Sequence, residues 1–350
     1  MKTITIKGST GDSTIFIGES LKNLSHYLPS GNVIIITDTN VWKLYGKGFP
    51  PFDVIQIGTG EEVKTLRTVE TIYDRLIQLK ADRSTFLVGI GGGIVCDIAG
   101  FVASTYMRGI EFGYVATTLL AQVDASVGGK NGVNFGGYKN MVGVFNQPKF
   151  VICDLSLLKT LPKKEISCGF AEIIKHAAIA DIEMFSFLET NHDKALSLEM
   201  DVLEKLIHES VKIKASVVGK DEKEKGERRK LNFGHTFGHA IEKTTGISHG
   251  EAVSLGMVLA SAISGQKGLL TREDQEKLKN LLEKYLLPVR SQMNNEAIWD
   301  ALKKDKKRAS DRMHLVLLQG LGRAMVKNIP IGDVKGYLEQ YSEQQSKDHA

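Results

Sequence analysis

The chain has 350 residues, with 45 Lys and Arg against 41 Asp and Glu, for a net charge of +4. At 42% hydrophobic and 25% charged it has the balance of a globular protein of about two domains, too apolar for disorder and too nearly neutral for non-specific nucleic-acid binding. Three sparse cysteines (Cys96, Cys153, Cys168) and no apolar run approaching the roughly 20 residues of a membrane span exclude a disulfide scaffold and a membrane protein, and the expected setting is the reducing cytoplasm.

The first 155 residues alternate strand-like and helix-like segments. Thr3–Lys7 and Ser13–Ile17 are short β-rich runs. Asn32–Thr37, Phe52–Ile57 and Thr85–Ile90 are apolar runs of the kind that form strands buried on both faces. Val63–Lys80 carries an apolar stripe at helical spacing, and Ile94–Ser104 reads as a second helix. Phe112–Ala116 and Phe150–Cys153 complete the set. Such alternation predicts a Rossmann-like α/β domain over 1–155, built on a mainly parallel sheet.

From 156 to 350 the pattern is mainly α-helical. Helices are predicted over Lys163–Ala180, Asp181–Asn191, Met200–Gly219, Arg229–Thr245, Glu251–Gly268, Thr271–Tyr285 and Asn295–Asp305. His314–Leu318 and Arg323–Asn328 read as a hairpin joined through QGLG, and a last helix runs from about Ile331 to Gln344. The change of architecture makes the interdomain cleft the expected active site.

Three stretches carry chemistry. Gly91, Gly92 and Gly93 follow the strand TFLVGI and open a helix that contains Asp97. Bare backbone at a helix N-terminus admits a phosphate, although the same glycines also serve a tight strand-to-helix turn. Next comes Thr117-Thr118, then Gln122, Asp124, Ser126 and Gly128-Gly129-Lys130, running on to Lys139-Asn140. This segment reads either as a second anion-binding loop or as an irregular solvated one. Third, Glu172 lies in the middle of a predicted helix, and six of the nine histidines fall between Lys175 and His249. His235 and His239 are four apart, on one helix face. Thr236 stands where a zinc protease would have Glu, so protease chemistry is unsupported. One carboxylate with two or three imidazoles still suits a catalytic divalent ion, and His176, four residues after Glu172, remains a candidate on composition.

The stretches GGGIVCDIAGF, STYMRG, TTLLAQVDASVGGKNGVN, KNMVGVFNQP, GFAEIIKHA, RRKLNFGHTFGHAIE and HGEAVSLGM together resemble the 3-dehydroquinate synthase family, in order, from about Asp38 to Lys307. The resemblance implies an NAD- and metal-dependent lyase of the shikimate route. Such an enzyme converts 3-deoxy-D-arabino-heptulosonate 7-phosphate to 3-dehydroquinate and phosphate by transient oxidation, phosphate elimination, re-reduction, ring opening and aldol closure. It implies the ligands Glu172, His235 and His249 for one ion, Zn²⁺ or Co²⁺. His176 lies outside that set. NAD contacts are implied at Asp38, Glu61, Lys64, Gly91, Gly92, Gly93, Asp97, Thr117, Thr118, Lys139 and Thr160. Substrate contacts are implied at Asp124, Lys130, Asn140, Lys175, Lys214, Arg228, Asn232, His239 and Lys307. Arg108 is similar to an arginine that reaches the partner subunit's site, which implies a homodimer. No nucleic-acid or membrane partner is implied. Ala116, Ala125 and Tyr138 depart from the family's Pro, Ser and small residue, and none of them removes a charged or ligand group.

Overall fold

The structure, a computed structural model, describes residues 1–291, 295–306 and 312–347. Among the described residues eleven strands run β1 (Lys2–Gly8), β2 (Gly11–Ile17), β3 (Val33–Asp38), β4 (Asp53–Ile57), β5 (Phe86–Gly91), β6 (Phe112–Ala116), β7 (Lys130–Phe135), β8 (Tyr138–Phe145), β9 (Phe150–Cys153), β10 (Arg312–Leu318) and β11 (Ala324–Pro330). The α-helices are α1 (Thr39–Tyr45), α2 (Leu66–Gln78), α3 (Gly93–Thr105), α4 (Lys163–Ala180), α5 (Ile182–Thr190) and α6 (His192–Leu196). They continue with α7 (Met200–Lys220), α8 (His235–Thr245), α9 (His249–Gln266), α10 (Arg272–Lys284), α11 (Asn295–Lys306) and α12 (Ile331–Lys347).

A seven-stranded sheet has the order β1-β2-β9-β6-β5-β3-β4. The β1–β2 edge is antiparallel and every other pairing is parallel. The central strands are buried on both faces: Ile34, Ile35 and Ile36 of β3 and Leu87, Val88 and Ile90 of β5 are all 0% exposed. Each such side chain contributes about 1.5–3 kcal/mol by leaving water, so the sheet interior is the main stabilising layer of this half. Helix α3 is apolar around nearly its whole circumference and packs on β5 and β7. Gly100 lets it approach closely, because a Cβ there would stand 2.1 Å from Tyr114 Oη and 2.2 Å from Asn131 Oδ1.

The chain divides into two compact units, and neither is contiguous. One comprises Met1–Ile166 with Leu198–Lys223, the other Ser167–Ser197 with the chain from Glu224 on. The sequence reading placed one boundary near 155 and put α7 in the second half. Instead α7 belongs to the sheet unit, because its buried stripe (Val202, Leu203, Leu206, Ile207, Val211, Val218) packs on β1 and β2. The second unit is helical around α8 and α9, with the β10–β11 hairpin and a Phe170–Tyr285 ring pair at 4.6 Å.

Three local readings differ from expectation. The segment after Lys130 is an antiparallel hairpin, β7–β8, closed by Gly136 and Gly137 at φ +59° and +77°. Two consecutive left-handed residues are what a two-residue hairpin turn demands, and glycine meets that demand without strain. The helix expected over Arg229–Thr245 is broken: a 3₁₀ turn covers Glu227–Asn232, Gly234 adopts φ +79°, and α8 begins at His235. The short helix α1 was not foreseen; Asp38 caps it by accepting from Val41 N at 2.9 Å. Among the described residues no helix is long and apolar enough to cross a membrane.

Candidate active site

In the sheet unit, the chemistry collects at the C-terminal edge of the parallel strands. Neighbouring strands bring Asp38 to the end of β3, Gly91 to the end of β5 and Thr117 just past β6. This is the edge at which open α/β sheets bind ligands. Thr117 N donates to Gly91 O at 2.9 Å, and Gly92 and Gly93 form the cap and first residue of α3. Side chains here would fill the approach to that helix end: a Cβ on Gly92 would sit 3.0 Å from Thr118 Cγ2, and one on Gly93 2.9 Å from Ala125 Cβ. The cradle therefore fits an anionic group such as a dinucleotide pyrophosphate.

One turn into α3, Asp97 pairs with the Lys64 ammonium, and Lys64 Nζ also donates to Asn140 Oδ1 at 2.6 Å. Burial pushes the Asp97 carboxyl up to about 6, and Lys64 opposes that rise. Glu61 accepts from Asn134 Nδ2 at 2.8 Å and lies 4.0 Å from Lys139 Nζ. Asp124 lies in a π-helical turn, Ala121–Ala125, and is held by Lys214 Nζ, which donates to its carbonyl at 2.7 Å and also to its carboxylate. Thr118 Oγ1 accepts from Ala121 N at 3.1 Å. Thr160 ends the 3₁₀ turn after β9 and hydrogen-bonds Tyr45. Lys130 is exposed at the start of β7. Arg108 is exposed too, in a turn where Met107 and Arg108 have φ +49° and +69°. Non-glycine residues in that region cost about 1–3 kcal/mol each.

In the helical unit, Glu172 is wholly buried in α4. His235 opens α8 and His249 opens α9, so the two helix starts deliver both imidazoles to one carboxylate. His235 Nε2 is 3.5 Å and His249 Nε2 3.8 Å from Glu172 Oε1. The opposite ring nitrogens are engaged elsewhere, His235 Nδ1 at 3.3 Å from Phe233 O and His249 Nδ1 at 3.4 Å from Glu242 Oε2. Both rings therefore turn Nε2 toward the carboxylate, as metal-binding histidines do when a neighbour anchors Nδ1.

The three donors fit a divalent ion. Glu172 Oε1 is buried without a hydrogen-bond partner. Two ligand atoms about 2.1 Å from one ion at a tetrahedral angle stand roughly 3.4 Å apart, close to the spacing seen here. Burial opposes ionisation of Glu172, yet Lys175 and the imidazoles of His235 and His249 outweigh it and hold the carboxyl well below the usual range. Burial, with the Lys175 charge, depresses His235 to about 3. Burial also favours neutral His249, but Glu172 and Glu242 prevail and raise it to about 9. Lys175 is 2% exposed along its side chain and pairs with Glu172 Oε2. His239 is exposed one turn after His235, its ring 5.4 Å away. Arg228 is buried in the 3₁₀ turn, and Asn232 at the end of that turn donates to Glu224 Oε1 at 2.5 Å. Lys307 lies outside the described residues.

Sequence reasoning gave two residues no role. Glu242 follows His235 by seven, two helical turns on the same face, and that spacing was available as a signal. Asn134 became visible only with the hairpin, for which Phe135-Gly136-Gly137-Tyr138 was the one local cue.

Profiles of two families match the chain: 3-dehydroquinate synthase N-terminal over residues 54–168, and 3-dehydroquinate synthase C-terminal over residues 169–308. A 3-dehydroquinate synthase of Dehalococcoides mccartyi is 41% identical over 357 residues, spanning 97% of this chain and 99% of that protein. One of Campylobacter concisus is 46% identical over 279 residues, 79% of each. Among solved structures, a 2-deoxy-scyllo-inosose synthase complexed with carbaglucose-6-phosphate, NAD⁺ and Co²⁺ superposes with a TM-score of 0.85 at 30% identity, covering 97% of this chain and all of that one. A 2-epi-5-epi-valiolone synthase of Streptomyces hygroscopicus with NAD⁺ and Zn²⁺ bound gives a TM-score of 0.87 at 26% identity, covering 98% of this chain and all of that one.

Proposed function

The chain belongs to the 3-dehydroquinate synthase family, and from that premise we propose how its residues serve the family's reaction. The conversion is that of 3-deoxy-D-arabino-heptulosonate 7-phosphate to 3-dehydroquinate and phosphate. When bound, NAD would take up and return the C5 hydride, and a divalent ion would acidify the C5 hydroxyl and polarise the ketone made from it.

The observation that carries the cofactor reading is the pair of built sites. Gly92 and Gly93 leave a helix start open to a pyrophosphate, and Glu172, His235 and His249 gather three donors round a buried carboxylate oxygen. Asp38, at the end of β3, is assigned to accept from a ribose hydroxyl and to repel a 2′-phosphate, which favours NAD over NADP. Lys64 neutralises Asp97 beneath the cradle. Lys175 balances the buried charge of Glu172. Arg228 offers a planar fork to the substrate carboxylate. Lys130, Asn140, Asn232 and His239 are the donors assigned to the leaving phosphate, by charge-assisted hydrogen bonds. Arg108 is assigned to the neighbouring subunit of a homodimer. Its exposed, strained turn supports that reading, as does the exposed apolar side chain of the adjoining Met107, at 44%.

The test is incubation of purified protein with the heptulosonate phosphate, catalytic NAD⁺ and Zn²⁺ or Co²⁺, with the product identified by mass and NMR. One phosphate per substrate should appear with no net NADH absorbance, because the hydride taken from C5 returns to it. Stoichiometric NADH without phosphate would mark a simple polyol dehydrogenase.

A further inference from the structure

The β7–β8 hairpin is irregular at one place. Val133 pairs with Val142 and Phe135 with Tyr138. One residue of β7, Asn134, therefore faces three of β8: Lys139, Asn140 and Met141. The surplus forms a bulge, the device by which strands re-aim side chains. Asn140 sits in the middle of it at φ +51°. That left-handed backbone turns its carboxamide to Lys64 Nζ, at 2.6 Å.

Asn134 holds every edge of this arrangement. Its Oδ1 accepts from Asn140 N at 2.9 Å, fixing the left-handed residue. Its Nδ2 donates to Glu61 Oε1 at 2.8 Å. Its backbone N donates to Lys64 O at 2.8 Å, the link through which residues 64–65 run alongside the hairpin. Both ends of one carboxamide are spent, the acceptor on the bulge and the donor on Glu61. A carboxamide suits this place because it offers an acceptor and a donor on one planar, uncharged group.

We infer that Asn134 is a positioning residue that holds the substrate-side bulge around Asn140 in register with the cofactor-side residues Glu61 and Lys64. The inference rests on the proposed roles of those residues. It adds that the two sets form one coupled element, so that a fault at Asn134 is felt by both ligands although Asn134 is assigned to neither.

Two variants separate its two ends. Asn134→Ala removes both. Asn134→Asp keeps the acceptor for Asn140 N but sets a carboxylate against Glu61. Asn134→Ala should lower kcat/KM for the heptulosonate phosphate about 10- to 100-fold, the scale of loss that follows a misplaced contact. It should also weaken NADH binding, read by fluorescence without substrate. Asn134→Asp should recover most of the substrate KM while NADH binding stays weak. In a cycle with Asn140→Ala, the double variant should lose no more than Asn140→Ala alone, because Asn134 acts on substrate through Asn140. Thermal melts and near-ultraviolet spectra of each variant identify any that fails to fold. Independent, multiplying losses in the cycle would overturn the inference, as would equal substrate KM in the Ala and Asp variants. A wild-type protein that made no dehydroquinate would instead defeat the functional reading beneath it.

Discussion

Glu242 Oε2 lies 3.4 Å from His249 Nδ1, while Nε2 of the same ring faces Glu172. The carboxylate on α8 thus sets the rotation of an imidazole on α9, and would keep the proton on Nδ1 when Nε2 binds a metal. Removing such a partner typically weakens metal affinity about 10- to 100-fold while sparing the ligands themselves. Glu242→Gln and Glu242→Ala should do so here, as measured by Zn²⁺ competition against a chromogenic chelator. Unchanged affinity in both would show that His249 is oriented by its helix alone.

Dialysis against a strong chelator should abolish turnover, and Zn²⁺ or Co²⁺ should restore it. His249→Ala should lose both bound metal and activity, because only Glu172 and His235 of the cluster remain. Full activity with no bound metal in that variant would refute the ligand assignment.

Asp38 has two separable duties. As N-cap of α1 it is worth about 1 kcal/mol, so Asp38→Ala should lower the unfolding free energy by roughly that amount. Asp38→Asn retains a capping oxygen and should keep that stability. Both variants should narrow the gap between NAD⁺ and NADP⁺ affinity, since both remove the charge that repels a 2′-phosphate. Equal wild-type affinity for the two nucleotides, read by calorimetry, would exclude Asp38 as the discriminator.

Arg108→Ala and Lys130→Ala should each be nearly inactive as pure proteins. If Arg108 serves the neighbouring subunit, mixing the two with subunit exchange leaves one site of each heterodimer with both residues. Activity should then rise toward about a quarter of the wild-type value at full statistical mixing, as one intact site in half of the dimers requires. No recovery, with exchange demonstrated by mass spectrometry of labelled subunits, would place Arg108 in its own subunit's chemistry or outside it.

Gly100→Ala tests the packing of α3. Its Cβ would meet Tyr114 Oη and Asn131 Oδ1 far inside contact distance, and the loss should be about 1–3 kcal/mol or more in chemical denaturation. A neutral result would mean that the helix can slide on the sheet.

Much of this molecule was legible before any coordinates. Strands β3, β5 and β9 are continuous apolar runs because they are buried on both faces, and burial of that kind writes itself into composition. Helix α4 was bounded to the residue, Lys163–Ala180, by its periodicity. Clustered imidazoles near the mid-helix carboxylate of Glu172 pointed to a metal site but left the histidines open; the resemblance singled out His235 and His249, and the structure gathers their Nε2 atoms round that carboxylate. Local periodicity, however, reports which face of a segment is buried and not against what. The amphipathic pattern of α7 is that of any such helix, and only packing on β1 and β2 placed it with the sheet. The break at Gly234 is invisible as periodicity. It follows from the tight passage of α9, where a Cβ on Gly256 would lie 1.9 Å from Gly234 O. That break makes His235 a helix start rather than a mid-helix residue. The same holds for the polar links. Lys64 meets Asn140 across 76 positions, and the hairpin bulge that brings them together depends on Asn134, whose three bonds are all to other segments or to the far side of the turn. Sequence determined which groups this protein possesses and which segments are buried. Tertiary packing decided which groups meet, because hydrogen bonds and close backbone contacts are made between segments whose separation along the chain leaves no periodic trace.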